Sequence, residues 1–545
     1  MDLFEPTSIT YFTLLILLLS LPFWLIRVVK TALFYLYLWQ LKEYHIGRFV
    51  DHFRTAKGKQ LFLNKILLGE LVLVLFPVSP LFFLLYGSDA IKAGLDTVQG
   101  RLRRPVFTKK IILLIGVSVL AGVIFLIVIM RADSFSGANT VRLLLLYSIL
   151  MPIITSATVL AFQPFTVLAR NRLLGQAKER RKRFKNLKVI GITGSYGKTS
   201  TKELLARILG QKFQVLKTPE HQNSEVGISN VILRSLTDEH EIFVCEMGAY
   251  NKGGIKLLAD IAKPSIGIVT GVNEQHLATF GSMENLLSAE GGRELIDSLP
   301  KDGVVVLNGN NRYCREFYEK IEKPKKILCY AFGAAAPNVL SLVPDIRAED
   351  VRVGKERISF RVDRVRYNAA LYGGHNVENL LLAIAAAKEI GMNLEEIAKA
   401  CETITPDLGA LKVKKGIGGV TVIDSTYSAN PDGVIADLEY LRLYEGKKVL
   451  VMPCLIELGK ASKEVHRRIG EKIGEVCDLA IITTREHFDD IKEGANQNDK
   501  ILFLENPQEI LEKIKSSMKS GDAILLESRL PESLIKELLR VGGEI

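Results

Sequence analysis

The chain is poor in cysteine, and the few it has are unpaired. Six stand singly at 245, 314, 329, 401, 454 and 477, with no C-x-x-C spacing. That excludes a thiolate zinc site and a disulfide-stapled scaffold; they read as reduced cytosolic thiols. Internal repeats and long disordered tracts are also lacking. Acidic residues are scarce at the front, where residues 1–188 hold 9 Asp and Glu against 25 Lys and Arg. The whole chain is +11, so residues 189–545 carry −5. The basic excess belongs to the first third, which argues against nucleic acid as a partner.

That first third holds long apolar runs. Residues 8–26 and 111–130 contain no charge, and each reaches the ~20 residues that span a bilayer. A third run covers 143–169. A fourth, 66–87, carries Glu70 and is interrupted by Pro77 and Pro80. The expected organisation is a membrane region at 1–170 with three to four apolar segments, then a basic linker at 171–188. By the positive-inside rule the stretch RNRLLGQAKERRKRFKNLK faces the cytoplasm and anionic headgroups. Loops 27–65 and 88–110 are also basic, whereas 131–142 is cation-poor. Three spans, a re-entrant or interfacial hairpin at 66–87 and an outer N-terminus satisfy all of these. The first run lacks a basic n-region and a small-residue cleavage site, so it reads as an anchor. The expected location is the cell membrane, multi-pass, with the remaining domains cytoplasmic.

Residues 191–200 read GITGSYGKTS, between the strand-like 187–190 and the helix-like KELLARILG. Strand, glycine turn, Lys-Thr and helix together form a phosphate cradle, because turn amides and the helix dipole favour an anion there. Ile192 stands where a generic P-loop has its first glycine; the glycines are Gly191, Gly194 and Gly197. Gly194, Ser195, Gly197 and Ser200 shape the cradle. Lys198 supplies charge to the β/γ-phosphates, and Thr199 is the Mg²⁺ ligand. ATP and Mg²⁺ are the expected cofactors.

Downstream, apolar strands such as EIFVCEMG, SIGIVTGV, GVVVLNG, GVTVIDS, KVLVMP and AILLES alternate with helical patterns. The predicted fold class is α/β, with parallel sheets covered by helices and ligands at the C-terminal strand ends. A break at Thr405–Gly409 divides a central ATP-binding domain, 189–404, from a Rossmann-like C-terminal domain, 405–545. The β-rich stretch 333–372 reads as a small antiparallel addition. Glu246, His276 and Asp424 each fall where a strand ends. A carboxylate and an imidazole there can hold a second Mg²⁺ at the γ-phosphate.

After the cradle come HQNSEVGISNVIL, EMGAYNKGGIKLLADIAKPSIGIVTGV, EQHLATFGSMENL, VVVLNGNN, GGHNVENLLLAIAAAKEIG, DSTYSANPDGVIADL and IELGKASKEVH. Their order resembles the Mur ligase family over about 189–530, with the D-Ala-D-Ala-adding branch most similar. The resemblance implies an ATP-dependent acid–amino-acid ligase of peptidoglycan precursor synthesis. ATP phosphorylates a peptide carboxylate, and an amine attacks the acyl phosphate. The implied partners are a UDP- or lipid-linked cell-wall peptide precursor and an amino acid or dipeptide amine. Lys198 and Thr199 resemble the phosphate and first-metal contacts, and Glu246 and His276 the second-metal ligands. Asn308 stands at the adenine-side position, and Asp424 resembles a C-terminal-domain residue that reaches the nucleotide. Asn223, Glu225, Tyr427 and Asn430 lie on the acceptor side. His375 and Asn376 resemble a GxHN turn whose role, structural or nucleotide-binding, stays open.

Four departures qualify the resemblance. Glu290 occupies the slot of a lysine that is carbamylated in the family, and would supply that anion permanently. Ala410 replaces a phosphate-contacting Arg, with Lys412 as a candidate substitute. The family's KGSR-like turn reads Glu527-Ser528-Arg529, without its Lys. The membrane region stands where soluble members carry a UDP-binding domain, so the acceptor is expected to be membrane-associated. A plain tether beside other membrane cell-wall enzymes is the alternative. Two other functions compete: a catalytically impaired nucleotide-binding scaffold and a transport ATPase. The second is weakened because Glu70 is the one acidic residue in the apolar runs.

Overall fold

The computed structural model describes residues 6–540 except 43, 45, 54–55, 62–63, 100–101, 132–136, 332–342, 410, 428 and 497–498. The chain divides into two compact units, Met1–Arg170 and Asn171–Ile545.

In the first unit every described element is helical. Three helical stretches, Leu15–Leu41, Lys109–Ile129 and Ala138–Arg183, are long and apolar enough to cross a membrane. The expected hairpin at 66–87 forms two helices, Lys65–Leu75 and Ser79–Val98. The break falls at Phe76–Val78, where Pro77 has no N–H to continue the first helix. Trp24 donates its indole N–H to the Leu144 carbonyl at 2.9 Å. Glu70 is not isolated: Arg27 Nε lies 3.1 Å from its Oε1, and the Tyr86 hydroxyl donates to the same oxygen at 3.1 Å. Lys30 Nζ pairs with Asp89 at 2.8 Å, and Arg27 Nη1 lies 3.8 Å from Asp89. Two bases on the first helix therefore neutralise two buried acids on the following pair.

The second unit opens with the last turns of the helix Gly137–Arg183. Arg180 donates to the carbonyls of Ile232 and Leu236, and buried Arg181 to those of Ala262, Phe184 and Leu187. Two of the linker's cations thus satisfy backbone carbonyls instead of facing solvent. The main sheet has strands β1 (Lys188–Thr193), β2 (Val215–Lys217), β3 (Ile242–Glu246), β4 (Ile266–Val269), β5 (Val304–Asn308), β6 (Lys325–Tyr330) and β7 (Ile346–Arg347). All paired neighbours are parallel, in the order β2-β3-β1-β4-β5-β6-β7. β1 connects toward β2 and β4 toward β5, so a crevice opens between the C-terminal ends of β1 and β4. Strands β1, β3 and β4 are almost wholly buried, as strands covered on both faces must be. The helix His375–Ile390, rich in Leu and Ala, is buried on nearly every side. Each of its buried leucines contributes about 1.5–3 kcal/mol.

The antiparallel addition appears as β8 (Glu349–Val353), β9 (Ile358–Val362) and β10 (Val365–Ala369). A third sheet comprises β11 (Lys412–Lys415), β12 (Thr421–Ser425), β13 (Lys448–Met452), β14 (Leu479–Ile482), β15 (Ile501–Phe503) and β16 (Ala523–Glu527). Its order is β11-β12-β16-β13-β14-β15, parallel except at the β11 edge.

Candidate active site

After β1 the chain turns through 194–197 into the helix Lys198–Leu209. Gly194 and Gly197 have φ of 141° and 74°. A Cβ on Gly194 would stand 2.1 Å from Thr270 Oγ1, and one on Gly197 2.5 Å from Asn379 Oδ1. Only glycine fits, and the turn stays open to an anion at the helix N-terminus. The buried Ser195 hydroxyl has no hydrogen-bond partner among the described residues. Lys198 Nζ folds back onto the carbonyl of Gly194. An orphaned donor and a cation resting on its own loop fit a phosphate ligand.

Charge converges on this turn. The Thr199 hydroxyl is 3.1 and 3.2 Å from the two Glu246 oxygens, and Asn223 Nδ2 donates to Glu246 at 3.0 Å. Lys202, fully buried, lies 3.3 Å from Glu246 and 3.2 Å from Glu203. Glu290, also buried, has one oxygen 3.9 Å from Lys198 Nζ and the other 3.1 Å from His276 Nδ1. Thr199 and Glu246 thus form one cluster and Lys198, Glu290 and His276 a second, and the two meet at the adjacent residues Lys198 and Thr199. Among the described residues no group of three or more His, Cys, Asp and Glu side chains could hold a metal alone. A Mg²⁺ here would need phosphate oxygens to complete its shell, as Mg²⁺ sites commonly do.

Beside the cradle lies a cavity of about 550 Å³ that shares Gly197 and Ser200 with it. Tyr196, Asn311, Glu378 and His375 line one side, and Asn430, Asp432 and Arg468 the other. The central and C-terminal parts of the unit meet there: Asn273 Nδ2 donates to Asn430 and to Asp432, both at 3.0 Å. Asn430 also caps the helix Pro431–Leu441. Asn308 lies beneath the cavity and donates to the Thr270 carbonyl at 2.8 Å and to Glu378 at 2.7 Å. Burial pushes the Glu378 carboxyl up to about 7, against the opposing hydrogen bond from Asn308 and with help from Asp432. Burial likewise raises Asp432.

Other expected residues lie apart from the constellation. Asp424 accepts from Thr426 N and Oγ1 in a local turn, while its neighbour Ser425 lines the cavity. Half-exposed Tyr427 stacks on His221, with ring centroids 5.5 Å apart. Glu225 is in the first turn of the helix Glu225–Arg234. His375 Nδ1 faces Asp437 at 3.9 Å, and Asn376 donates to the Tyr372 carbonyl. Glu527 is fully buried near Asp437, and burial and that neighbour raise its carboxyl well above the usual range. Ala410 lies outside the described residues. Lys202, Glu378 and Arg468 were not singled out from sequence. Lys202 is buried along with Leu205 and Leu209 of its helix, whereas Arg468 stays partly exposed at the cavity wall.

The crevice, the glycine turn with its Lys-Thr, and the buried acids define a two-domain nucleotide-binding enzyme of the P-loop class. Comparison with known proteins narrows this. Residues 192–387 match the Mur ligase middle domain, and 411–530 the Mur ligase, glutamate ligase domain. The chain is 31% identical to the UDP-N-acetylmuramoyl-tripeptide–D-alanyl-D-alanine ligase of Synechocystis, over 64% of this chain and 73% of that one. It is 29% identical to the Bacillus subtilis ligase of the same name, over 65% and 76%. Among solved structures, MurF from Acinetobacter baumannii superposes with a TM-score of 0.61 at 26% identity, covering 68% of this chain and 81% of that one. MurF from Thermotoga maritima in complex with ADP superposes with a TM-score of 0.57 at 25% identity, covering 68% and 84%. The chain belongs to the Mur ligase family, and with it to the ATP-dependent acid–amino-acid ligases.

Proposed function

We propose that the chain is a membrane-anchored peptide ligase of peptidoglycan precursor synthesis that adds D-alanyl-D-alanine, or a similar amine, to a muramoyl-peptide acceptor. The observation that carries this is that two charged clusters, Thr199–Glu246 and Lys198–Glu290–His276, start from adjacent residues at the N-terminus of the helix that follows β1. In this reading Lys198 would neutralise the transferred phosphate and Thr199 would hold one Mg²⁺. Glu246 and His276 would hold a second, with Glu290 supplying the anion beside it, and the ions would offset the charge that develops on the phosphate. Glu290, already anionic, needs no CO₂-derived group. Such preorganised charge stabilises the phosphoryl-transfer transition state without reorganisation. The cavity lined by Asn311 and His375 takes the nucleoside. Tyr427 and Asn223 stand toward the acceptor.

The three apolar helices support membrane anchoring, and the basic linker supports a cytoplasmic active site. An acceptor carried on a polyprenyl lipid follows from that placement. The test is turnover of the purified chain with UDP-linked and with lipid-linked muramoyl-tripeptide, each with D-alanyl-D-alanine. Preference for the lipid-linked acceptor supports the reading; efficient use of the UDP-linked one alone reduces the anchor to a tether. One observation favours a second reading, an impaired enzyme: the turn Glu527-Ser528-Arg529 lacks the family's Lys and holds a buried carboxyl instead. Absence of turnover with both acceptors, with ATP binding intact, would favour it.

A further inference from the structure

We infer that Glu457, on the loop after β13, is a positioning residue that clasps His276 from the side opposite Glu290. His276 has Glu290 3.1 Å from Nδ1 and Glu457 3.8 Å from Nε2, so its imidazole lies between carboxylates from two domains. Two further observations show that this contact is built. The Ala278 amide donates to the Glu457 carbonyl at 3.0 Å. His276 and Glu457 both hold left-handed backbone, with φ of 65° and 68°. Neither is a glycine, and such conformations persist only where the surroundings over-determine them, a pattern that clusters at functional sites. Gly459 completes the approach: a Cβ there would stand 3.3 Å from the Ala278 nitrogen.

The loop 455–461 thus delivers one carboxylate and one carbonyl to the turn that carries His276. The other partners of the constellation, Glu290, Glu246 and Lys198, all belong to the central domain. Among the described residues Glu457 is what ties the imidazole to the C-terminal domain. Glu290 holds one ring nitrogen from within the central domain, and docking of the C-terminal domain adds the second hold that fixes the ring. Docking and assembly of the phosphate site become one event, so ATP is not committed by the open enzyme.

The inference rests on the ligase reading of this site, and the test separates the two. Three variants of the full chain in detergent are compared with wild type. Glu457→Gln keeps shape and the backbone hydrogen bond, Glu457→Asp keeps charge, and Glu457→Gly relaxes the backbone. The expected result for Glu457→Gln is a kcat at least tenfold lower with KM for ATP within threefold. Glu457→Asp recovers part of that loss, and Glu457→Gly is as slow as Glu457→Gln despite its relaxed backbone. Hydrogen exchange supplies a readout that needs no turnover: in nucleotide-bound protein, amides 276–281 exchange faster in Glu457→Gln than in wild type. Wild-type kcat in Glu457→Gln overturns the inference. If wild type turns over neither acceptor, the substrate reading fails, and the exchange arm alone decides: unchanged protection in Glu457→Gln overturns the inference.

Discussion

Each unit buries charged groups, but the two do so for opposite ends. In the first unit, Arg27 and Lys30 face Glu70 and Asp89 in near one-to-one pairing. Among the described residues one buried oxygen of the cluster, Asp89 Oδ2, makes no hydrogen bond, but Arg27 Nη1 offsets its charge from 3.8 Å, and the cluster fastens the Lys65–Val98 helix pair to the first helix. In the second unit Ser195 is left without a partner, Lys198 rests on its own loop, and two acids share cations at longer range. That incompleteness is what a ligand charge completes. A balanced cluster stabilises; an unbalanced one catalyses.

This contrast can be broken experimentally. The largest effects belong to the unbalanced cluster: Lys198→Ala is expected to lower kcat/KM by about 10³-fold or more, and Glu290→Ala by about 10²–10³-fold. Steady-state ADP release measures both, with little change in melting temperature. Full activity in Glu290→Ala would remove that residue from the site. Arg27→Leu should do the reverse. It leaves the buried Glu70 without its cation, costs the first unit about 3–5 kcal/mol, and spares ATP binding; chemical denaturation in detergent followed by the fluorescence of Trp24 and Trp39 reports it. Equal stability would mean the pairs are dispensable.

The cavity offers a finer test. Burial pushes the Glu378 carboxyl up to about 7 in the folded chain, from an ordinary 4.5. The folded state therefore holds that proton longer than the unfolded state. Stability of the nucleotide-free chain falls as pH rises between those values, by on the order of 3 kcal/mol at most. Glu378→Gln should flatten that slope in urea titrations at pH 5 and pH 8. Smallest of all, Gly197→Ala forces a side chain onto Asn379 at φ 74° and should cost about 1–3 kcal/mol. Its loss of ATP affinity should be disproportionate to that cost.

What could be read from the residues follows the range of the interactions. The cradle is local: Gly194 to Thr199 is six residues of continuous chain, so their spacing alone carries the chemistry. Strands β1, β3 and β4 were visible as apolar runs because both faces are covered. Glu246 and His276 were visible because strand ends are where α/β folds place ligands. The Arg27–Glu70 and Lys30–Asp89 pairs were not, since they join residues 43 and 59 positions apart across different helices. Arg27 and Lys30 also read there as loop cations, although they belong to the first helix. Lys202 reads as a solvated helical lysine until β3 is packed against it. Glu457 depends on a contact between domains that no local pattern encodes.

The most direct test of the whole account is ADP release by the purified chain with ATP and Mg²⁺, with acceptor and amine added separately and together. Release is expected only when both are present, with one amide formed per ADP. ADP release indifferent to acceptor and amine would contradict it.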